Sequence, residues 1–385
     1  MVPHMLTSDT IRGRRKGLSR EMENQGIDWL YVSPGSDFRY LTGLTTGRSE
    51  RPHALLLAGS GEEALLCPAF EADYVSRMAD VDEIVPWEEN ADPFQTVADY
   101  WRSVREPLRV ALGPQCSFEE YGAMAETCGA VEIVDAKPLI KGMRVIKSEA
   151  EIEIMRKITA ITESALDDAL SEDVAFGMTE SDLGEKLERR ALSYGADSAS
   201  STVLSGPHSS FPHGATGSRA LGQDEILLID FVTTLEGYHA DITRTVVFGS
   251  VSSRMKEVFS AVREAARAAT DAVVPGVKAS RIDRIARKIM EDAGLSGAFV
   301  HRVGHGLGLD VHEDPYLVGN NDGVTAPAYS HVEIHDGLLE AGMLITIEPG
   351  AYLTDQFGIR IEDDILVTED GYERLTDNVS KSLIL

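Results

Sequence analysis

Lysine is scarce in this sequence. Only 10 of the 385 residues are lysine, against 26 arginines, and 63 acidic residues leave a formal charge of −27. A surface this acidic repels phosphate groups, which excludes nucleic acid and anionic membranes as favourable partners. An acidic excess with few lysines is also typical of proteins that work in high salt, where screening weakens self-repulsion. We therefore expect a halophilic protein, with an ordinary acidic enzyme as the alternative.

Cysteine is also rare, and long apolar runs are missing. The three cysteines are odd in number and show no CxxC spacing, which excludes a disulfide framework or a thiolate zinc site and favours a reducing cytosol. No run of 18 apolar residues occurs, and the first residues form no apolar signal core, so we expect no membrane span. Hydrophobic residues still make up 43% of the chain. These values predict a cytoplasmic globular protein with a sizeable core.

The order of predicted elements changes near residue 144. Before it, strand-like and helix-like segments alternate, as in an α/β domain. The predicted strands there are 29–33, 54–59, 63–70, 83–87, 109–113 and 131–136. A basic connector at 137–151 follows, so we expect one domain at 1–144 and another at 145–385.

The second domain has a repeated order of two helices followed by strands. The predicted helices are 149–170, 179–195, 255–273 and 279–294. Thr179, with Asp182 three residues later, predicts the N-terminal cap of the second of them. This order predicts an α+β fold in which duplicated helix pairs surround one antiparallel sheet.

A hairpin is predicted at 226–249, where an apolar strand, a polar turn containing Gly237 and a second strand follow one another. If the turn spans 234–237, Asp230 and Asp241 face each other directly, with Cβ atoms roughly 5 Å apart. Like charges so close destabilise a sheet unless a cation intervenes, and two carboxylates suit a hard or borderline divalent metal. The pair indicates either a metal site or two unrelated aspartates at strand edges.

A second predicted hairpin, at 342–371, carries Glu348 on one strand and Glu362 on the next. Its turn lies near their midpoint, although Pro349 leaves the register open by a residue or two. Both glutamates interrupt apolar runs, and buried acids are costly unless they are paired or bind a metal. Four acids on two hairpins of a duplicated fold therefore favour a metal centre over surface charge.

Histidines supply candidate nitrogen ligands and substrate contacts. His305 lies between two glycines in the segment HRVGHGLGLDVHEDP, which allows close approach of backbone or ligand. A lone histidine is more often structural, but the four candidate acids lead us to expect that His305 binds metal. His312 follows seven residues later. His213 lies in a loop ahead of the first hairpin and is either substrate-facing or solvated, whereas His331 and His335 are interpreted as solvated.

Five motifs occur in order along the chain: FPHG, LLIDF with EGYHADITRT, VGHGLGLDVHEDP, TIEPGAY and GIRIEDDILVT. Together they resemble the pita-bread metallopeptidases of the Xaa-Pro dipeptidase (prolidase) and aminopeptidase P type. The resemblance extends from about residue 140 to the end, and DFRYLTG at 37–43 and the connector resemble that family's N-terminal domain and linker. It implies a pita-bread catalytic domain behind a smaller α/β domain, and hydrolysis of Xaa-Pro peptide bonds.

The resemblance implies a dinuclear site with two divalent ions per chain, Mn²⁺ first and Co²⁺ or Zn²⁺ as alternatives. The implied ligands are Asp230, Asp241, His305, Glu348 and Glu362. By analogy, Asp241 and Glu362 bridge the ions, Asp230 holds one of them, and His305 and Glu348 hold the other. Glu348 is also the implied proton shuttle toward the leaving amine.

Three further residues match family positions that contact substrate. His213 and His312 are implied to orient the substrate and to stabilise the oxyanion. Arg360, two residues before Glu362, matches an arginine of the proline-specific branch. The alternative role of Arg360 is a salt bridge on its strand. The resemblance also implies a small peptide substrate and a homodimer.

The chain departs from the family pattern at two places, and several activities stay open. The family usually has a glycine near residue 232, where this chain has Phe231-Val232-Thr233, and the segment 322–334 is longer than the usual connection. We expect an Xaa-Pro dipeptidase. The alternatives are an aminopeptidase P that acts on longer peptides, and a creatinase-like or ectoine-hydrolase-like enzyme, whose relatives replace metal ligands. The last alternative is a non-catalytic binding module on the same fold.

Overall fold

The computed structural model describes residues 6–129, 131–319, 337–378 and 382–383. The chain divides into two compact units, Met1–Arg144 and Val145–Leu385. The segment 322–334, which is longer than the usual connection, lies outside the described residues, and so do His331 and His335.

The N-terminal unit is an α/β domain built on one six-stranded sheet. All six predicted strands are present: β1 (Trp29–Val32), β2 (Ala54–Ala58), β3 (Glu63–Pro68), β4 (Glu83–Trp87), β5 (Arg109–Leu112) and β6 (Glu132–Asp135). Their order in the sheet is β4-β3-β2-β1-β5-β6. β2 runs antiparallel to both of its neighbours, and the other adjacent pairs are parallel.

Helices connect these strands, and the central strands are buried. The helices are α1 (Ser8–Asn24), α2 (Ser36–Thr42), α3 (Ala72–Met78), α4 (Pro93–Val104), α5 (Phe118–Cys128) and α6 (Lys137–Val145), with a 3₁₀ turn at Ala69–Glu71. Every residue of β1 and β2 is buried, as continuous apolar strands are when both sheet faces are covered. The rings of Trp29 and Trp101 stack in this core, 5.9 Å apart.

The C-terminal unit contains the two predicted helix pairs. They are α7 (Glu149–Asp168) with α8 (Glu180–Tyr194), and α9 (Ser253–Asp271) with α10 (Ala279–Asp292). A π-helical segment, Ala169–Asp173, extends α7. The predicted cap of α8 is confirmed, since Thr179 and Asp182 bond each other's backbone N–H groups (2.8 and 3.1 Å). Gly195, in the left-handed region, ends this helix.

Among the described residues of this unit, three strands follow the first helix pair and seven follow the second. They form three antiparallel sheets rather than the single sheet expected. β7 (Ser198–Ser205), β8 (Ile226–Leu235) and β9 (Tyr238–Val247) form the first. The second has the order β11-β10-β12-β15-β16, and the third pairs β13 with β14. These strands are β10 (Gly304–Gly306), β11 (Glu313–Leu317), β12 (Leu344–Ile347), β13 (Gly350–Leu353), β14 (Phe357–Arg360), β15 (Asp363–Val367) and β16 (Tyr372–Arg374).

The division into three sheets has a physical reason. Thr245 on β9 bonds to Arg360 on β14 through its side-chain hydroxyl (2.8 and 3.1 Å) instead of through its backbone. Side-chain bridges of this kind hold strands together without extending the ladder of a sheet. The two hairpins that carry the candidate acids therefore meet along β9, β14 and β15.

One apolar cluster backs these hairpins. Val262 on α9, Ile282 on α10, Ile345 on β12 and Ile359 on β14 belong to it, and none of the four exposes any surface. Close packing of this kind resists displacement of the strands it supports. In the described part of the chain, no helix is long and apolar enough to cross a membrane.

Candidate active site

The first predicted hairpin is formed by β8 and β9, and its turn is shorter than expected. Leu235 pairs with Tyr238, so the turn consists of Glu236 and Gly237 alone. Both have positive φ, 50° and 81°, as a two-residue turn of type I′ requires. The four-residue turn predicted at 234–237 is therefore wrong.

The shorter turn changes which residues face each other. Asp230 lies opposite Thr243, and Asp241 lies opposite Val232, so the predicted direct pairing of the two aspartates is wrong by two residues. Because side chains alternate with a period of two, a shift of two keeps both aspartates on one face of the hairpin. They are diagonal neighbours, and Val232 lies on the same face.

The second hairpin places its two glutamates at opposite positions. β12 pairs with β15, and β13 with β14, in one register that continues across Pro349. This register sets Glu348 opposite Glu362, which confirms the turn near their midpoint and closes the register that Pro349 had left open. The amide N–H of Glu362 also donates to the carbonyl oxygen of Thr243 (3.1 Å), which ties the second hairpin to the first.

His305 lies on the short strand β10 between Gly304 and Gly306. A Cβ atom on Gly304 would collide with the backbone of Thr346, and one on Gly306 with the backbone of Asp314. The neighbouring strands thus approach as closely as glycine alone permits. This close approach explains the GHG sequence and leaves His305 only 1% exposed.

The ring of His305 is oriented by its own strand. Nδ1 donates to the carbonyl oxygen of Gly306 (3.0 Å), which leaves the lone pair of Nε2 directed at the acids. Nε2 lies 3.4 Å from Oε1 of Glu348. Burial, with a contribution from His312, lowers the pKa of His305 well below its usual value. The ring is therefore neutral, the form that binds metals.

The predicted metal ligands come together. Ligand atoms of Asp241, His305 and Glu362 lie within 4.8 Å of one another, and all three side chains are buried. Glu348 joins this group through its contact with His305. Burial is the largest cause that raises the pKa of Asp241 and of Glu362, and the charges of Glu362 and Glu348, respectively, come second. The carboxylate of Asp230 is near enough for its charge to come third for both groups. We call these five residues the ligand cluster.

The acids of the ligand cluster repel one another. Burial, followed by the charge of Glu362, raises the pKa of Asp241 well above its usual value. Burial and the charge of Glu348 do the same for Glu362, and burial raises the pKa of Glu348 to about 7. Such packing of acids costs free energy unless a cation compensates their charge.

One buried oxygen marks a place where a cation fits. Among the described residues, no hydrogen-bond donor reaches Oδ1 of Asp241, although this atom is buried. Buried carboxylate oxygens are normally paired. An orphaned oxygen beside a neutral imidazole and further carboxylates matches the donor set of a divalent metal. The residues present therefore fit a metal ion.

Arg360 is a buried cation held against the ligand cluster. Its Nη2 donates to Oδ2 of Asp230 (2.5 Å), its Nε to the hydroxyl of Thr243 (3.0 Å) and its Nη1 to the hydroxyl of Tyr352 (2.7 Å). Thr243 in turn donates to Oε2 of Glu362 (2.6 Å). The salt bridge considered from the sequence is thus present, and a contact of Arg360 with substrate stays a prediction.

The two predicted substrate histidines lie beside the ligand cluster. The ring of His312 meets that of His305 edge to face, with centroids 4.3 Å apart. His213 belongs to the loop that follows β7. It lies near enough to His301 to lower the pKa of that residue, after the larger effects of burial and of Arg360. Unlike His305, both His213 and His312 are exposed to solvent. They are therefore accessible to a ligand that enters from solution.

His301 and Tyr352 also belong to the site, although no role for them is predicted from the sequence. The hydroxyl of Tyr352 accepts from Arg360 and lies 3.0 Å from Nε2 of His301, while Nδ1 of His301 donates to the carbonyl oxygen of Arg302 (2.7 Å). Burial, followed by Arg360, lowers the pKa of His301 to about 3, so its Nε2 accepts the tyrosine proton. The sequence feature that could have indicated His301 is its spacing of four residues from His305.

Known families match both units. The metallopeptidase family M24 matches residues 153–369, and the creatinase/prolidase N-terminal domain matches residues 14–146. The chain belongs to metallopeptidase family M24. This assignment confirms the pita-bread fold implied by the resemblance, and it makes the protein a hydrolase of the peptidase type.

Individual relatives of this M24 chain match nearly its whole length. An uncharacterised peptidase of Staphylococcus haemolyticus is 33% identical over 365 residues, which cover 93% of this chain and 97% of the relative. The prolidase from Thermococcus sibiricus has a TM-score of 0.87 at 29% identity and covers 96% of this chain and 98% of its own. Dipeptidase PepE from Mycobacterium ulcerans has a TM-score of 0.87 at 30% identity, with coverages of 98% and 99%.

Proposed function

We propose that this chain is a metal-dependent Xaa-Pro peptidase whose preferred substrates are Xaa-Pro dipeptides. The observation that carries the proposal is the convergence of Asp241, His305 and Glu362 at one buried place. Within the described chain, that place includes an oxygen of Asp241 without a hydrogen-bond partner. The likeness to a prolidase and a dipeptidase over nearly the whole chain supports the substrate class.

Two divalent ions per chain are part of the proposal. Asp230, Asp241, His305, Glu348 and Glu362 would hold them, with Asp241 and Glu362 shared between the two. Mn²⁺ is our first choice because it suits sites rich in carboxylates, and Co²⁺ or Zn²⁺ are alternatives. When bound, the ions would supply a Lewis acid and a water molecule acidified toward neutral pH.

In this proposal, Glu348 also moves a proton. Its side chain is 14% exposed, and its two oxygens lie 3.4 Å from Nε2 of His305 and 3.9 Å from Nδ1 of His301. A carboxylate at the solvent edge of the ligand cluster can take a proton from the attacking group and return it to the leaving amine. We therefore assign Glu348 both a ligand role and a general acid–base role.

Three side chains would bind the substrate. His213 and His312 are exposed beside the ligand cluster, where their N–H groups would orient the peptide and stabilise the developing oxyanion. Arg360 reaches toward the same loop, since its Nη1 lies 3.4 Å from the carbonyl oxygen of Pro212. Its salt bridge with Asp230 would fix it for contact with the substrate.

Alternative activities on this fold are less well supported. A creatinase-like or ectoine-hydrolase-like enzyme would be expected to replace metal ligands, and this chain retains all five candidates. An aminopeptidase P would use the same ligand cluster and differ in the length of its substrates. Our proposal also includes a homodimer that works in the cytoplasm.

A panel of substrates tests the proposal. Stripped protein would receive Mn²⁺, Co²⁺ or Zn²⁺ one at a time, and hydrolysis of Xaa-Pro dipeptides, Xaa-Pro-Xaa tripeptides and matched Xaa-Ala dipeptides would be compared. We expect the Xaa-Pro dipeptides to be cleaved fastest. Faster cleavage of tripeptides would identify an aminopeptidase P instead. No cleavage of any proline peptide with any of the metals would overturn the proposal.

A further inference from the structure

The loop that carries His213 is closed by one buried carboxylate. Glu180, the first residue of α8, exposes no surface. Its Oε1 accepts from the N–H (2.7 Å) and the hydroxyl (2.8 Å) of Ser205. Its Oε2 accepts from the N–H of Gly217 (3.1 Å) and from Nδ1 of His208 (3.3 Å). One side chain therefore ties together both ends of the segment 205–217.

The middle of this segment is attached to the candidate active site. The hydroxyl of Ser209 accepts from the N–H of Gly358 (2.8 Å), and a Cβ atom on Gly358 would collide with the carbonyl group of Ser209. Further along, the carbonyl oxygen of Pro212 faces Arg360. His213 is the next residue, so its place depends on the shape of a loop whose ends Glu180 holds.

The start of α8 fixes Glu180 itself. Thr179 and Asp182 form the cap described above, which sets the position of the first helical residue between them. A carboxylate at a helix N-terminus is also stabilised by the helix dipole and by the donors around it. Glu180 is thus held rigidly enough to act as an anchor for the segment 205–217.

We propose that Glu180 is a positioning residue for His213, which acts on the reaction by fixing the loop and without touching the substrate. The inference rests on the proposed function, because it matters only if His213 contacts substrate. A displacement of about 1 Å in an orienting group can reduce a rate on the order of 100-fold. Loss of the anchor is therefore expected to reduce turnover while the ligand cluster keeps its metal.

A second glutamate on the same helix provides a matched control. Glu188 accepts from the N–H and the hydroxyl of Ser201 on β7, both at 3.0 Å. These two bonds repeat those of Glu180 with Ser205, on the same helix and the same strand. In the described part of the chain, both hydrogen bonds of Glu188 go to Ser201 and neither reaches the segment 205–217. Glu188→Gln therefore disturbs the packing of α8 on β7 and leaves the bonds of Glu180 to both ends of the segment in place. Its partner Ser201 reaches Thr216 of the segment through a carbonyl oxygen (3.3 Å) that the substitution does not alter.

The experiment compares Glu180→Gln, Glu188→Gln and wild type, each loaded with Mn²⁺, in hydrolysis of an Xaa-Pro dipeptide. We expect kcat/KM to fall at least about tenfold for Glu180→Gln and to stay within about threefold for Glu188→Gln. Metal content should match wild type in both. Hydrogen exchange in the segment 205–217 should accelerate for Glu180→Gln alone, which gives a readout that does not depend on activity.

A double-mutant cycle with His213→Ala separates positioning from general destabilisation. If Glu180 acts through His213, adding Glu180→Gln to His213→Ala will reduce kcat/KM by less than about twofold further. Fully multiplicative losses, or equal losses in the two glutamine variants, would overturn the inference. If Glu180→Gln does not fold, Glu180→Asp, which retracts the carboxylate by one methylene, takes its place. Wild-type enzyme inactive on proline peptides would instead refute the proposed function.

Discussion

At the scale of single residues, the acids of the ligand cluster repel one another in the absence of a cation. Asp241 is 5% exposed and Glu362 is 2% exposed, and burial followed by mutual repulsion raises the pKa of each. Without a metal, these acids destabilise the fold that holds them. With a metal bound, the same side chains become ligands, and binding stabilises the native state.

Asp241→Asn tests whether the carboxylate of Asp241 destabilises the metal-free protein and stabilises the metal-bound protein. In metal-free protein we expect the variant to melt higher than wild type, by about 2–4 °C for each kcal/mol of relieved repulsion. Added Mn²⁺ should then raise the melting temperature of wild type and leave that of the variant unchanged. Thermal melts with and without Mn²⁺, together with metal analysis, check both expectations. A variant that binds Mn²⁺ like wild type would remove Asp241 from the ligand set.

Glu63→Gln is the matched control for Asp241→Asn. Glu63 is also a buried acid, but it belongs to the N-terminal unit and is paired with Arg15 through two bonds (2.6 and 2.8 Å). Removing one partner of a buried ion pair destabilises a protein strongly. This variant should therefore melt lower than wild type both with and without Mn²⁺, and by the same amount.

His213→Ala and His312→Ala should separate metal binding from catalysis. Neither side chain is in the ligand cluster, and both are exposed beside it. We expect each variant to keep the wild-type metal content and to lose activity on the order of 100-fold, because an orienting or oxyanion-stabilising donor is removed. Metal analysis and steady-state kinetics measure the two properties. Wild-type rates would show that these histidines are merely solvated.

At the scale of elements, the turn between β8 and β9 determines how the candidate ligands are arranged. Gly237 and Glu236 both lie in the left-handed region, and a β-carbon there is unfavourable at either position. A glutamate is an uncommon residue in such a turn, so a two-residue loop is not expected from the residue types alone. The predicted register was therefore wrong, even though both strands and both aspartates were identified.

Gly237→Ala tests the importance of this turn. We expect it to destabilise the protein by about 1 kcal/mol, because alanine is strained at the φ of 81° observed there. Gly122→Ala is the control, since Gly122 lies inside α5 with open space around it. That change should stabilise by about 0.5–1 kcal/mol. Urea unfolding of both variants gives the comparison, and equal effects would contradict the assigned turn.

Features of the fold that depend on neighbours in sequence could be predicted, whereas contacts between distant residues could not. The N-terminal strands, the helix pairs and the cap at Thr179 depend on neighbours in sequence, and the structure confirms them. The opposition of Glu348 and Glu362 was also accessible, because their turn lies midway between them. The bond from Arg360 to Asp230, 130 residues away, depends on how the two hairpins pack against each other. The periodicity of apolar residues in a single sequence does not show how two hairpins pack against each other.

At the scale of the whole molecule, net charge should govern stability. With a formal charge of −27 and 10 lysines among 385 residues, the exposed acids repel one another across the surface. The Debye length falls from about 10 Å at 0.1 M salt to about 3 Å at 1 M. We propose on this basis that the protein is halophilic.

A potassium chloride series tests this proposal. We expect the melting temperature and the activity to rise together between about 0.1 and 2 M salt, with the metal still bound, since screening acts mainly on exposed charges. Sucrose at matched osmolality serves as the control, because it stabilises by exclusion without screening. A melting temperature that stays flat in salt, or that rises equally in sucrose, would contradict the halophilic interpretation and leave the peptidase proposal unaffected.

The proposed function is tested most directly by titrating Mn²⁺ into stripped protein while the cleavage of an Xaa-Pro dipeptide is followed. Five candidate ligands around a buried, acid-rich site predict no hydrolysis before metal is added. Activity should then rise with each addition and reach a plateau at two ions per chain. Full hydrolysis by protein shown to be free of metal, or no hydrolysis after two ions have bound, would contradict a dinuclear Xaa-Pro peptidase.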